Sequence, residues 1–328
     1  MRSIERVYSV VAGRKGDRPP VSFWHHFPAA QREGDAAIQA HLDHLARFDL
    51  DFLKIMYDLG YPGDGPIRVV AQLRKLPALN GDEDVFGRHL ATIRALSGEL
   101  RDRAPIITTI FNPWATLRRM VRQEPYLPGV GGQLPEQDAP TRRIEELLAE
   151  DRAAVQTALA VIGESQANFA ARCLDAGADG IFLSVRDDWV DTPANGSGTY
   201  DELLRPLDLR ILRAASAGRL NVLHVCGRAL NFHDFANYPV HAINWADRAS
   251  GPEIKEVIAT LKPAPCGGID HHKTLPDGTP QQCAAELCDA VAQAGDRPIL
   301  IAPGCTYDAD RVPIVNLKAI RNAVETCL

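Results

Sequence analysis

Two short apolar runs, ADGIFLSV at residues 178–185 and LNVLHVC at 220–226, flank YDELLRPLDLRILRAASA at 200–217. The runs are too short for helices and read as strands buried on both faces, while the segment between them has the spacing of an amphipathic helix. Strand, helix and strand in that order predict a parallel sheet covered by helices.

Outward from this unit the pattern recurs along the chain. Further strands are expected at Val21–Phe27, Asp51–Tyr57, Ile106–Asn112, Val240–Ala246, Ala264–Asp270 and Ile299–Cys305. Helical patterns lie at Asp35–Arg47, Ile144–Ala176, Gly251–Leu261, Pro280–Ala294 and Asn316–Thr326. Eight strands alternating with helices predict a single (β/α)8 TIM barrel, an α/β fold, behind an N-terminal helical extension, with residues 1–328 as one domain. No glycine-rich GxGxxG follows the first strand, which disfavours a dinucleotide-binding sheet.

Two stretches exceed a minimal barrel. RQEPYLPGVGGQLPEQDAPT at 122–141 is rich in Pro, Gly and Gln, and reads as a cover over the barrel mouth that orders when substrate or partner binds. DDWVDTPANGSGT at 187–199 reads as a second extended loop.

A net charge of −6 and a pI near 5.9 argue against nucleic acid as partner. No run reaches the 18 or more apolar residues of a membrane span. The opening MRSIERVYSVVAGRKGDRPP carries charge throughout and lacks a signal-peptide core. Seven cysteines, an odd number, suggest reduced thiols and a cytoplasmic protein, with some thiols free for metal. Cys173, Cys283, Cys288 and Cys327 fall in helical patterns and read as small core residues, and Cys266 opens a strand at the opposite rim.

In this fold the C-terminal strand ends face the reaction site. Those ends carry His25-His26, Tyr57-Asp58, Asn112-Pro113-Trp114, Arg186-Asp187-Asp188, His224-Val225-Cys226, Asn244-Trp245-Ala246-Asp247, Asp270-His271-His272 and Cys305. Polar groups at nearly every end favour an enzyme over an inert scaffold. His224 and Cys226, two apart on a strand, project to one face; Val222 continues that face inward, while Leu223 and Val225 point toward the helices. With Cys305 at the same rim they supply three ligands suited to zinc, with a position left open. Asp247 is a candidate fourth ligand or a partner that orients His224. Asp58, His25 and His26 are candidates to hold the substrate's polar end or move a proton. Trp24, Tyr57, Asn112, Trp114, Asp187, Asp247, Asp270 and His271 are expected around the substrate.

The order of several segments resembles the uroporphyrinogen decarboxylase superfamily. They are IERVYSVVAGRKGDRPPV at 4–21, DFLKIMYD at 51–58, FNPWATLRRMV at 111–121, LHVCG at 223–227, INWAD at 243–247, GGIDHHKTLPDGTPQQ at 267–282 and NLKAIRNAVE at 316–325. The decarboxylases themselves carry an arginine-rich segment after the first strand and a histidine in a turn after the last. Here those places read FWHHFPAAQ and PGCT, which points away from tetrapyrrole decarboxylation. The zinc- and cobamide-dependent methyltransferase branch has an H-x-C, long gap, C signature, matched by His224, Cys226 and Cys305. That resemblance implies Zn2+ and a methylated corrinoid, free or on a partner protein, with a small thiol or tetrahydrofolate as the other substrate. The alternatives are a metal-free decarboxylase of a small acid and a non-catalytic tetrapyrrole-binding subunit. Oligomeric state and direction of transfer stay open.

Overall fold

A computed structural model describes residues 1–63, 65–122 and 138–327. Residues 123–137, the bulk of the expected cover, lie outside the described residues, so that expectation has no structural counterpart here. Seven strands form one parallel sheet in sequence order: β1 Leu53–Ile55, β2 Ile106–Phe111, β3 Gly180–Val185, β4 Val222–Val225, β5 Ala242–Trp245, β6 Ala264–Ile269 and β7 Leu300–Pro303.

The expected first strand, Val21–Phe27, is reduced to a single parallel bridge between Val21 and Ile301. Ser22 donates to the Ile301 carbonyl at 3.1 Å, Ile301 to that of Pro20 at 2.8 Å, and Asp51 to that of Val21 at 2.9 Å. Residues 20–22 therefore stand between β7 and β1, and the sheet curls round on itself. Pro19, Pro20 and Pro28 have no amide hydrogen, which limits how far this segment can pair. The second expected strand, Asp51–Tyr57, also shrinks. Its Asp51 is fully buried and binds Arg6 and Arg18 through its carboxylate, and accepts the Val21 amide.

Period-two alternation divides the apolar side chains. Ile107, Phe182, Val222, Ala242, Cys266, Leu300 and Ala302 form one buried cluster with Val7 and Val10 of the helix Ser3–Val11. Ile181, Leu183, Leu223, Val225, Ile243 and Ile301 belong to the larger cluster with the covering helices. The first cluster is the inside of the curled sheet, and the N-terminal helix seals the end where strands begin. Cys266 lies within this interior as the third residue of β6.

The helices Gly34–Phe48, Asp138–Asp175, Pro280–Ala294 and Ile314–Ala323 fall near their expected places. The helix expected over 200–217 divides into Thr199–Leu203 and Arg205–Ala214, because Pro206 cannot continue an upstream hydrogen-bond ladder. The one expected over 251–261 is only Ile254–Val257, begun by a capping box of Glu253 and Glu256 after Pro252. Helix Asp84–Leu100 was not expected from the pattern. Cys288 and Cys327 form a disulfide, whereas the odd count had suggested reduced thiols throughout. Among the described residues no helix is long and apolar enough to cross a membrane.

Candidate functional site

Strand register assembles the centre of the site. Ser184, His224, Asn244, Cys266 and Leu300 are successive partners across β3 to β7, so His224 and Asn244 share a face at one height. Asn244 Nδ2 donates to the carbonyls of Cys266 at 2.7 Å and Pro303 at 3.1 Å. Its Oδ1 must then accept, and it lies 2.6 Å from His224 Nδ1. That contact assigns the proton to Nδ1 and leaves Nε2 as a lone-pair donor. Phe182 stacks on the same imidazole, with ring centroids 5.2 Å apart.

Cys226 follows β4 and donates its amide to the Val185 carbonyl at 2.9 Å; Cys305 follows β7. Ligand atoms of His224, Cys226 and Cys305 all lie within 4.8 Å of one another, the only such His/Cys/Asp/Glu group among the described residues. The Cys226 and Cys305 sulfurs lie within that distance of each other. Their contact, aided by His224 and His271, pulls Cys305 well below the usual thiol range, while the same contact and burial push Cys226 well above it.

The turn after Cys226 is clamped from β3. Gly227 has φ of +130°, and a β-carbon there would stand 2.8 Å from Asp188 Oδ2. That oxygen accepts the Arg228 amide at 3.1 Å, and Asp188 also holds the Arg186 guanidinium through two hydrogen bonds. Arg186 and Arg118 both lie over the Trp189 ring, at 3.9 and 3.7 Å from its centroid.

These groups open onto a cavity of about 910 Å³ whose wall includes His26, His224, Cys226, Asp270, His271 and Cys305. His26 Nδ1 lies 2.6 Å from Asp58 Oδ1, with Arg32 3.9 Å from the other oxygen. Burial raises the Asp58 carboxyl, but the His26 hydrogen bond and nearby Arg119 and Arg32 outweigh it and hold the group below its usual range. His271 is buried and its Nδ1 has no hydrogen-bond partner among the described residues; burial holds its pKa at about 4. Asp270 lines the wall and accepts the amides of His272 and Lys273.

The other expected residues sit away from this wall. His25 packs against Phe27, His44 and Tyr307. Trp24 lies inside the barrel, and Tyr57 packs on His89 and Phe169. Asn112 caps helix Pro113–Met120, whose Trp114 is core. Asp187 accepts from the backbone and side chain of Asn231. Asp247 accepts the Gly268 amide and pairs with Arg248, so Asn244, and not Asp247, orients His224.

Lys54 was missed. It is buried inside the barrel, its Nζ 4.4 Å from the Phe182 ring and 3.1 Å from Met56 Sδ. Burial lowers it to about 8, against the attraction of Cys305 and Asp58. A lysine at an inward position of an apolar strand was the available signal.

The model of the family described as uroporphyrinogen decarboxylase (URO-D) matches residues 2–327. The chain belongs to the uroporphyrinogen decarboxylase family. Among solved structures, this family member is similar to a methyltransferase from Methanosarcina mazei, at 16% identity and TM-score 0.71, covering 99% of this chain and 98% of that one. A B12-independent methionine synthase from Shewanella matches at 12% identity and TM-score 0.45, over 71% of this chain and 65% of the other. Among curated proteins, none matches. The family and the first of these structures agree with a TIM-barrel-like fold.

Proposed function

We propose that this family member is a zinc-dependent methyltransferase that moves a methyl group between a corrinoid and a small acceptor such as a thiol or tetrahydrofolate. The observation that carries the reading is the convergence of His224, Cys226 and Cys305 at the cavity wall. The donor set fits zinc: one imidazole nitrogen with its tautomer assigned, two sulfurs close beside it, and a side facing the cavity. Bound there, zinc would keep both cysteines as thiolates and hold the acceptor at the remaining position as a nucleophile.

The chain's residues supply the rest. Asn244 holds the imidazole in place, and Asp188 holds the Cys226 turn through the Arg228 amide. His26, its Nδ1 on Asp58, has Nε2 left to take the proton that a thiol loses. A methylated corrinoid would supply the methyl group: the acceptor's sulfur or nitrogen would gain the carbon and lose its proton, and the cobalt would keep the bonding pair.

Zinc should be present at about one ion per chain and vanish in Cys226→Ala and Cys305→Ala. Demethylation of methylcobalamin by a small thiol, followed by absorbance, should be lost in Cys305→Ala while circular dichroism is unchanged. A fully active Cys305→Ala protein, or a chain that takes up no zinc, overturns the reading. The His26–Asp58 pair would then favour the second reading, metal-free decarboxylation of a small acid.

A further inference from the structure

The chain carries a net charge of −6, yet the cavity at the site is lined by the opposite sign. Eight of the twenty-nine residues around it are arginine or lysine, against two carboxylates, Asp270 and Asp308. An acidic protein that gathers cations in one concavity focuses a positive field there and concentrates anions.

Most of these cations have local tasks. Arg186 is held by Asp188, Arg248 by Asp289 and Asp247, and Arg311 by Asp277. Arg228 and Lys273 differ. Both are exposed at the cavity wall, and among the described residues neither forms a side-chain hydrogen bond or ion pair. Their backbones are fixed: the Arg228 amide by Asp188, and the Lys273 amide by Asp270. Each follows a group of the centre closely in sequence, Arg228 after Cys226 and Lys273 after His271. Two anchored, unpaired cations thus flank the metal-donor side of the cavity.

We propose that the cavity takes a ligand bearing at least two negative charges, and that Arg228 and Lys273 are specificity-determining residues that bind its anionic end. The ligand's other end reaches the His224, Cys226 and Cys305 centre. This rests on the methyl-transfer reading only for what happens at that end. Carboxylate and phosphate share the recognising chemistry, since a guanidinium and an ammonium bind either.

Two measurements separate the parts. In the first, the metal-free chain is titrated calorimetrically with acetate, succinate and tricarballylate at low salt. Affinity should rise with each charge, and 0.5 M salt should flatten the series. Arg228→Gln with Lys273→Gln should weaken tricarballylate by roughly tenfold, about threefold per exposed ion pair, and leave acetate unchanged. Equal affinities across the series, or a double variant that keeps the preference, overturn the proposal whatever the metal does. Because neither side chain has a partner among the described residues, the variants' melting temperatures should match the parent's. In the second, the cobalt(II)-loaded chain, whose own two cysteines already give a sulfur-to-cobalt absorption band, is titrated with mercaptosuccinate and with mercaptoethanol, watching for an additional band from the added sulfur. An additional band with both thiols, stronger binding of mercaptosuccinate, and loss of that advantage in the double variant are expected. If cobalt binds and neither thiol produces an additional band, the methyl-transfer reading falls alone, and the first measurement still decides the charge of the ligand.

Discussion

Asn244 accepts the Nδ1 proton of His224 at 2.6 Å while both hydrogens of its own amide are committed to the carbonyls of Cys266 and Pro303. The amide therefore cannot flip without losing two hydrogen bonds. Which ring nitrogen of His224 carries the lone pair is selected by backbone carbonyls on two other strands.

Asn244→Leu should consequently weaken zinc binding by roughly 10–100-fold, the range seen when a ligand's orienting partner is removed. Chelator competition on the purified variant measures this. A variant that holds zinc as tightly as the parent would show that stacking on Phe182 alone places the ring.

Gly227 is where the ligand turn meets Asp188. Alanine there would adopt a φ of +130° and press its β-carbon against Asp188 and Leu230. The expected cost is about 1–3 kcal/mol of stability, with lower metal affinity because Cys226 sits next door. Chemical denaturation and metal titration test the two effects separately, and a neutral substitution would mean the turn is not clamped.

Asp208 is buried among Tyr200 and Tyr238, and burial raises its carboxyl to about 7 despite hydrogen bonds from both hydroxyls. The folded chain thus prefers the protonated acid, whereas the unfolded chain ionises near 4. Between those values the native state binds more protons, so this group's contribution is intact below about pH 4 and is lost as pH rises toward 7. The swing is up to about 4 kcal/mol. Asp208→Asn should flatten that part of the profile, and an unchanged slope in denaturant midpoints from pH 4.5 to 7.5 would count against it.

Cys288 and Cys327 close a loop of sequence separation 39, for which chain entropy gives about 4 kcal/mol when the link is intact. Dithiothreitol should lower the melting temperature of the parent and leave that of Cys327→Ser unmoved. Equal melting with and without reductant, or two free thiols by mass spectrometry, would remove the link from the fold.

The cluster of His224, Cys226 and Cys305 was legible because their relation is local. His224 and Cys226 need only the two-residue period of a strand, and Cys305 needs only to end one. Asn244 was visible as a strand-end residue, but its task depends on the register between β4 and β5, a long-range property with no local trace. The same holds for Arg118 on Trp189 and for Lys54 under Phe182. Asn112 and Asp187 stood at strand ends too, yet a helix cap and a loop anchor use them first. The link from 288 to 327 joins two segments whose spacing says nothing of their contact. The curled parallel sheet followed from the alternation, while the depth of the Val21 segment did not, since three prolines limit it.

The closure at residues 20–22 divides the cavity's working parts. On one side run Cys305 and the strands that carry His224 and Cys226; on the other begin the segments that bring His26 and Asp58. Three backbone hydrogen bonds, Ser22 to Ile301, Ile301 to Pro20 and Tyr307 to Trp24, join this segment to the β7 side and one, Asp51 to Val21, to the β1 side, with a single bridge where β2 and β3 have five paired positions. Local opening with the lowest free energy is expected where such bonds are sparse. Breathing at this seam would therefore widen or narrow the gap between the His26 imidazole and the sulfurs of Cys226 and Cys305 while leaving each group internally intact, which would make the weld in the ring a hinge for the cavity above it.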